Sequence, residues 1–390
     1  MNSTTAEILP GLAEPGTVVP PGVSYVDTAE KLAELVKRVH AVAARTPDFR
    51  SCLDTEADSL HHYQEKLCLI QLAFDNEYAL IDPLAIEDMS PLIAALDLGE
   101  IWFHGADYDL TLLRRTYGWT PRQVRDTQIA ARLTGSRQFG LAALVETHFQ
   151  QTLSKASQKA DWSRRPLSSV MLHYAVDDVR YLLELADKFQ HMLEEKKRMP
   201  WFVQSCEALC AGVLARSTEP KEDRWKVQGS GKLHPRGLAV LKGLWEWRET
   251  IAQERDVPCF RIMSNKQLLD VSIAFDHGQS LSPPAGWRPR WKKEYNDVHE
   301  AVQASDPETW PQRVRLHSGR MSDKAREQLD KLCAAREQLA TALELEPSLL
   351  GSRGTLEQVV AKAEGIEELM PWQRDVMAGP LGDARSLLGF

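Results

Sequence analysis

Three short strand-like runs follow one another and constrain the fold more than any other feature. They are Ser51 to Glu56, Leu67 to Phe74, and Tyr78 to Ile81, the last stopping at Asp82-Pro83. Strands in such close succession predict an antiparallel meander, so this part of the chain is built on a sheet. A helix precedes them: Thr28 to Ala44 carries Leu32, Leu35, Val36 and Val39 at helical spacing after the capping-type Asp27-Thr28. A helix at Pro91 to Leu96 follows, then a strand from Ile101 to His104 running into Gly105, and a helix from Asp107 to Tyr117 closed by Gly118. The pattern is then mainly helical and ends in a long helix from about Leu167 to Arg198. Strands followed by β-α alternation predict an α/β domain with a mixed sheet, ending near residue 205.

The remainder reads as all-α. Residues 216–232 have the composition of a linker, and Leu233 to Ile273 is helical. A Pro- and Trp-rich stretch, Ser282 to Trp291, breaks the pattern before helices resume at Lys324 to Leu345, Thr355 to Ala363 and Pro371 to Met377. The two segments form a weak repeat: Trp247-Arg248-Glu249 and Leu268-Leu269 in the first are echoed by Arg336-Glu337 and Thr355-Leu356 in the second. At 390 residues the chain has room for two or three domains. The reading is a leader over 1–22, an α/β domain over 23–215, a linker over 216–232, and helical domains over 233–310 and 311–390.

Six cysteines are too few for a disulfide framework, and the i, i+4 pair Cys206 and Cys210 reads as small core residues rather than half a zinc site. Met1 to Gly22 contains no Lys or Arg and lacks the apolar middle of a signal peptide. No apolar run approaches the ~20 residues that span a bilayer. The expectation is a cytoplasmic protein with no membrane partner.

The formal net charge of −8 argues at first against nucleic acid. Its distribution says otherwise. Residues 1–110 hold 6 basic and 19 acidic side chains, whereas 111–170 hold 10 basic and 3 acidic. A metal-dependent enzyme acting on a polyanion needs an acidic block beside a basic one. Charge alone still favours chance clustering of solvated groups.

Three carboxylate clusters stand out. In Asp54-Thr55-Glu56, at a strand end, residues i and i+2 share a face, although Asp-x-Glu is common in solvated turns. In His104-Gly105-Ala106-Asp107-Tyr108-Asp109 a strand meets a helix start. Capping accounts for Asp107, and Asp109 has less capping reason. In Tyr174-Ala175-Val176-Asp177-Asp178 the phenol and the second Asp are i, i+4 neighbours, and Asp178 lies among core-type residues while Asp177 suits a solvated face. Acidic groups converging from a strand and two helices would repel unless cations lay between them. Two hard divalent ions ~3.5–4 Å apart, cleaving a phosphodiester, suit such a set. The spacings do not by themselves show that the clusters meet.

Taken in order, Asp54-x-Glu56, His-Gly-Ala-Asp-Tyr-Asp109 and Tyr174-x-x-x-Asp178 resemble the three exonuclease motifs of the ribonuclease D family, in the tyrosine-containing branch of the DEDD superfamily. Leu69-Ile70-Gln71-Leu72, Asp126 to Leu133 and Lys159 to Leu167 match it as well, and Gly231 to Ile273 resembles an HRDC domain. The first 22 residues and the 282–291 stretch have no counterpart in that resemblance.

The resemblance implies a ribonuclease H-like mixed-sheet exonuclease domain followed by all-α HRDC-like domains. It implies two divalent cations, Mg²⁺ or Mn²⁺. Asp54, Glu56 and Asp178 would hold one, and Asp54 and Asp109 would reach the other. Tyr174 would orient the attacking water, with a nucleoside 5′-monophosphate released from the single-stranded 3′ end of a structured RNA such as a transfer RNA precursor. Gln71 and His104 become candidate contacts to the terminal nucleotide, and Trp162, Arg164 and Arg165 candidate contacts to the strand. Gln71, His104 and Trp162 read equally well as scaffold. A DNA exonuclease of the same superfamily and a non-catalytic RNA-binding scaffold are the alternatives, the second requiring a lost metal ligand.

Overall fold

A computed structural model describes residues 19–217, 222–279, 281–313 and 321–389. Residues 1–18 of the expected leader and 218–221 of the expected linker lie outside the described residues. The chain divides into two compact units. One comprises Met1–Ala57, Leu67–Arg216 and Gly319–Phe390, and the other Asp58–Lys66 and Ser217–Ser318.

The first unit begins β1 (Val23–Val26), α1 (Ala29–Arg45), β2 (Arg50–Ala57), β3 (Leu67–Phe74), β4 (Glu77–Ile81), α2 (Ser90–Leu96), β5 (Glu100–Phe103), α3 (Asp107–Tyr117) and β6 (Val124–Asp126). It continues α4 (Thr127–Thr134), α5 (Leu141–Phe149), α6 (Ser169–Arg180), α7 (Leu182–Glu195) and α8 (Met199–Ala215). The strands form one mixed sheet in the order β1-β4-β3-β2-β5-β6. Its centre is the expected antiparallel meander, with Asp54 opposite Gln71 and Ile70 opposite Ile81. Strands β1, β5 and β6 add in parallel to their neighbours.

All eight residues of β3 are buried, because helices cover both faces of the sheet. Ile70, Leu72 and Phe74 pack in a core with Leu35 and Val39 of α1, Leu92 of α2 and Leu110 of α3. On the other face Leu69 packs with Leu172, Ala175 and Val176 of α6.

Several elements differ from the sequence reading. Strands β1 and β6 were not expected: four and three residues are too short to show a period. The long helix expected over 167–198 is two, α6 and α7, separated at Tyr181, whose ring packs against Phe149 at 5.3 Å. The apolar period runs on across that break, which hides it.

The second unit contains α9 (Pro235–Glu254), α10 (Cys259–Ile262), α11 (Asn265–Asp276) and α12 (Pro289–Ala304). Leu238, Leu241, Leu244, Leu268, Phe275 and Tyr295 form its core, which Trp225 and Val227 of the expected linker also join. Helix α12 starts inside the Pro/Trp-rich stretch, because Pro289 stands in its first turn, where a missing N–H costs nothing.

The chain ends in α13 (Asp323–Ala342), α14 (Arg353–Ala361), α15 (Pro371–Val376) and α16 (Ala378–Leu388), which belong to the first unit. Leu329, Leu356 and Trp372 share one core with Phe189 and Phe202. The Trp372 ring stacks on Trp201 at 4.8 Å. Buried Arg198 donates to the carbonyls of Leu133 (2.7 Å) and Leu343 (2.6 Å), so one guanidinium satisfies the C-terminal ends of both α4 and α13.

The two helical segments share a device. Arg248 donates to the carbonyl of Met263 and to Glu249, and Arg336 donates to the carbonyl of Gly351 and to Glu337; the carbonyl lies 15 residues downstream in each case. Each bonded turn then leads into a serine-capped helix, at Ser264 and at Ser352.

One carboxylate ties the loops that present the site. Asp126, buried at the end of β6, accepts from the amides of Gln128 (2.7 Å) and Ile129, capping α4, and from those of Gly105 (3.0 Å) and Ala106 (2.8 Å) at the entry to α3. Gly105 turns there at φ +78°. Asp126→Ala leaves four amides without this acceptor and is expected to lower unfolding free energy by ~2–4 kcal/mol. Urea unfolding checks this, and a change within the error of the fit would remove Asp126 from that role.

Candidate active site

Asp54 and Glu56 lie on one face of β2, and Asp178 comes to them from α6, which packs on β2, β3 and β4. One carboxylate oxygen from each of the three lies within 4.8 Å of the others. Asp109 arrives from the opposite layer, in the first turn of α3. Thr55, whose side chain takes the other face of β2, donates its hydroxyl to Asp109 Oδ1 at 2.6 Å and holds that carboxylate at the strand. Asp109 is outside the closest trio but near enough that its charge, after burial, is the largest influence on Asp54.

The electrostatics of this set are unfavourable as they stand. Burial first, then Asp109, Asp178 and Glu56, push the Asp54 carboxyl well above the ordinary range. Glu56 is raised to about 9 by burial and by Asp178 and Asp109. Asp109 and Asp178 are each raised to about 7, burial being the main cause. Tyr174 bonds to Asp178, and burial with the surrounding carboxylates keeps its phenol protonated. Oxygen donors alone, close together and desolvated, fit a hard divalent cation, which would reverse each of these shifts.

A cavity of about 580 Å³ opens over the cluster, lined by Asp54, Glu56, His104, Tyr108, Tyr174, Asp178, Lys155 and Gln158 among others. A larger one of about 740 Å³, beside Arg132 and Glu344, has no carboxylate trio, so size alone does not mark the chemistry.

The other expected contacts divide. His104 lines the cavity. Its Nδ1 lies 2.9 Å from Thr127 Oγ1, and the Thr127 hydroxyl donates to the Phe103 carbonyl. Thr127 commits its single hydrogen to that carbonyl, so Nδ1–H donates to Thr127, and Nε2, shielded from water, faces the Phe139 backbone without a well-formed hydrogen bond among the described residues. Burial keeps the ring neutral. Gln71, fully buried and opposite Asp54 on the same face, has no partner for either amide atom among the described residues.

Trp162 is not on the cavity wall: it is buried, with its ring 6.0 Å from that of Tyr174. Arg165 is held by Asp82 (2.7 Å) and by the carbonyls of Cys68 and Trp162, and Asp82 also accepts from the Tyr25 phenol. Arg164 is exposed beside Asp161. Asp107 does not cap α3 as expected, since it pairs with Arg216 at 2.9 Å. Thr55, Thr127, Tyr108, Lys155 and Gln158 were not singled out from the sequence. Only Thr55, between two proposed ligands, carried a signal.

Residues 23–194 match the family model described as 3′-5′ exonuclease, and residues 237–274 match the HRDC domain. The mixed sheet with its carboxylates is thus the fold of a 3′-5′ exonuclease domain. Ribonuclease D of Xanthomonas oryzae pv. oryzae is 31% identical over 356 residues, which cover 88% of this chain and 94% of the relative. The chain belongs to the ribonuclease D family. Ribonuclease D of Psychromonas ingrahamii is 35% identical over 206 residues, and there the match spans 56% of the relative's length. The crystal structure of Escherichia coli RNase D, described as an exoribonuclease involved in structured RNA processing, superposes with a TM-score of 0.66 at 25% identity, covering 93% of this chain and 98% of that one.

The raised carboxyls make metal-free stability depend on pH. A carboxyl whose folded value lies above its unfolded value stabilises the fold at low pH and loses that contribution as pH rises through the folded value. For Asp109 and Asp178 the loss sets in above the ordinary 3.8 and is complete near about 7, and for Glu56 it runs from 4.5 to about 9. The chelated protein is expected to melt at progressively lower temperature as pH is raised from about 5 to about 9, and Mn²⁺ to restore more at the upper end. Thermal melts with and without chelator check this. A melting temperature indifferent to both variables would sink the electrostatic account.

Proposed function

We propose that this chain is a metal-dependent 3′→5′ exoribonuclease that releases nucleoside 5′-monophosphates from RNA 3′ ends, trimming transfer RNA precursors and other small structured RNAs. The convergence of Asp54, Glu56 and Asp178 on one point, with Asp109 close enough to act on Asp54, carries the reading. Asp54, Glu56 and Asp178 would hold one divalent cation, Mg²⁺ or Mn²⁺, and Asp109 with Asp54 would serve a second. Such cations, when bound, would supply a more acidic water and offset charge developing on the phosphoryl and leaving oxygens.

The chain's own groups supply orientation. Tyr174 commits its hydrogen to Asp178, so its oxygen lone pairs are free to accept from the attacking water and aim it. His104 lines the cavity, and a small turn of its ring brings Nε2, which no water reaches as it stands, to a ribose hydroxyl of the terminal nucleotide, with Gln71 behind the site. Trp162 buttresses Tyr174, and Arg165 anchors the same loop to the sheet. Arg164, exposed and paired with Asp161 at 3.2 Å, would have to exchange that acid for a phosphate.

We read 23–215 as the exonuclease domain, 233–310 as the HRDC domain and 311–390 as a second HRDC-like domain. The matching bonds of Arg248 and Arg336 support that repeat. Among the described residues no helix is long and apolar enough to cross a membrane, and an RNA substrate fits a cytoplasmic protein.

Asp54→Asn is expected to leave RNA binding near wild type and to cut metal-dependent release of mononucleotides by at least ~10²-fold. A 5′-labelled RNA, incubated with Mg²⁺, Mn²⁺ or chelator, reads both; trimming unchanged in that variant would overturn the assignment. His104→Phe removes the acceptor and keeps the ring. It is expected to raise KM on RNA by ~5–10-fold while affecting a matching DNA much less. An equal effect on the two would exclude the ribose contact.

A further inference from the structure

The Pro- and Trp-rich stretch lies outside the residues matched to the HRDC domain and has no role in the site above. Trp287 is explained by packing, since its ring covers Trp247 at 5.2 Å and Tyr295 at 5.8 Å. Trp291 is different. It is half-buried at the start of α12, meets Trp287 edge-on at 6.3 Å, and carries two guanidinium groups, Arg255 at 5.1 Å and Arg288 at 5.9 Å from its ring centre.

The stretch that carries it is basic, with acids at its borders. Residues 277–293 contain four basic side chains and no acidic one. Arg290 pairs with Glu254 and Glu294, Lys293 with Asp297, and Lys292 donates to the Ala285 carbonyl. Arg255 and Arg288 are exposed, and neither guanidinium makes an ion pair or hydrogen bond with the described residues.

We propose that Trp291, with Arg255 and Arg288, is a stacking site for a base of single-stranded RNA, upstream of the end being trimmed. The ligand class rests on the RNA substrate proposed above; the site itself does not depend on catalysis. An exposed guanidinium on an indole is held more weakly than a stacked base. An arriving base displaces one arginine from the ring, and the released guanidinium then meets the adjacent phosphate. The chemistry asks for both a flat aromatic face and unpaired cations. An acidic peptide would use the cations and leave the indole without a role.

The test is equilibrium binding by the full chain of a fluorescent 20-nucleotide polyadenylate RNA, with chelator present so that no hydrolysis intervenes. Trp291→Ala is expected to weaken binding about tenfold and Trp291→Phe to retain most of the affinity. The Arg255→Ala, Arg288→Ala pair is expected to reduce the slope of log affinity against log salt by roughly 1.4. The pair changes only exposed side chains, so it reads the site even where Trp291→Ala fails to fold. Unchanged affinity and slope in folded variants would overturn the proposal. So would variants that lose a polyglutamate peptide while keeping RNA. Loss of RNA binding in the variants of a chain that trims no RNA would retain this site and reject the exonuclease reading.

Discussion

Mutual repulsion among four desolvated carboxylates is the constraint around which the first unit is arranged. Such groups do not gather by themselves; each is held by an element stabilised elsewhere. Asp54 and Glu56 are fixed by the pleat of β2, whose partner β3 is buried along its whole length. Asp178 is carried by α6, whose Leu172, Ala175 and Val176 pack on the sheet. Asp109 is brought round the strand end by Thr55. Placing these charges together opposes folding, and apolar burial on both faces of the sheet offsets it.

The supporting polar network follows the same logic. Asp126 has no part in the cluster, yet its four amide bonds set the turn from β5 into α3 and the start of α4, and so the positions of His104 and Asp109. Behind Tyr174, Trp162 fills the core, and Arg165 ties its loop to Asp82 and to the edge of β3. Residues that read from the sequence as RNA contacts thus fall into two kinds. His104 and Gln71 keep a buried polar atom without a partner among the described residues, His104 on the cavity wall and Gln71 beneath it. Trp162 and Arg165 are spent on the scaffold.

What was legible in the sequence follows from what a local pattern can encode. The meander was readable because strand length, β-type residues and Asp82-Pro83 all agree. The motif carboxylates were readable as types in order, and their proximity required the sheet. Thr127 escaped because a threonine that orients a neighbour differs in no local way from one that faces water. The proline at the start of α12 was taken for a break, since a proline that opens a helix and one that ends it look alike without the following turn. The echo between Arg248 and Arg336 was faint because little beyond the arginine, its following glutamate, the downstream capping serine and the carbonyl geometry is preserved. Backbone carbonyls leave no trace in a sequence.

The net charge of −8 shows why averages mislead here. The acidic excess lies in the first 110 residues, most of it on solvated surface. Its consequential members are Asp54, Glu56 and Asp109, where burial rather than count decides behaviour: without cations several of these carboxyls would be protonated near neutral pH. A formal charge assigned at pH 7 therefore overstates the negative charge of the metal-free site and omits the cations that would replace those protons. The basic side chains invert in the same way. Arg132, Arg165 and Arg198 are bound to acids or carbonyls within the fold and offer little to a polyanion. The cations that matter to a nucleic acid are the few left unpaired. Neither sign of the total charge reveals them, because pairing is a property of the folded chain.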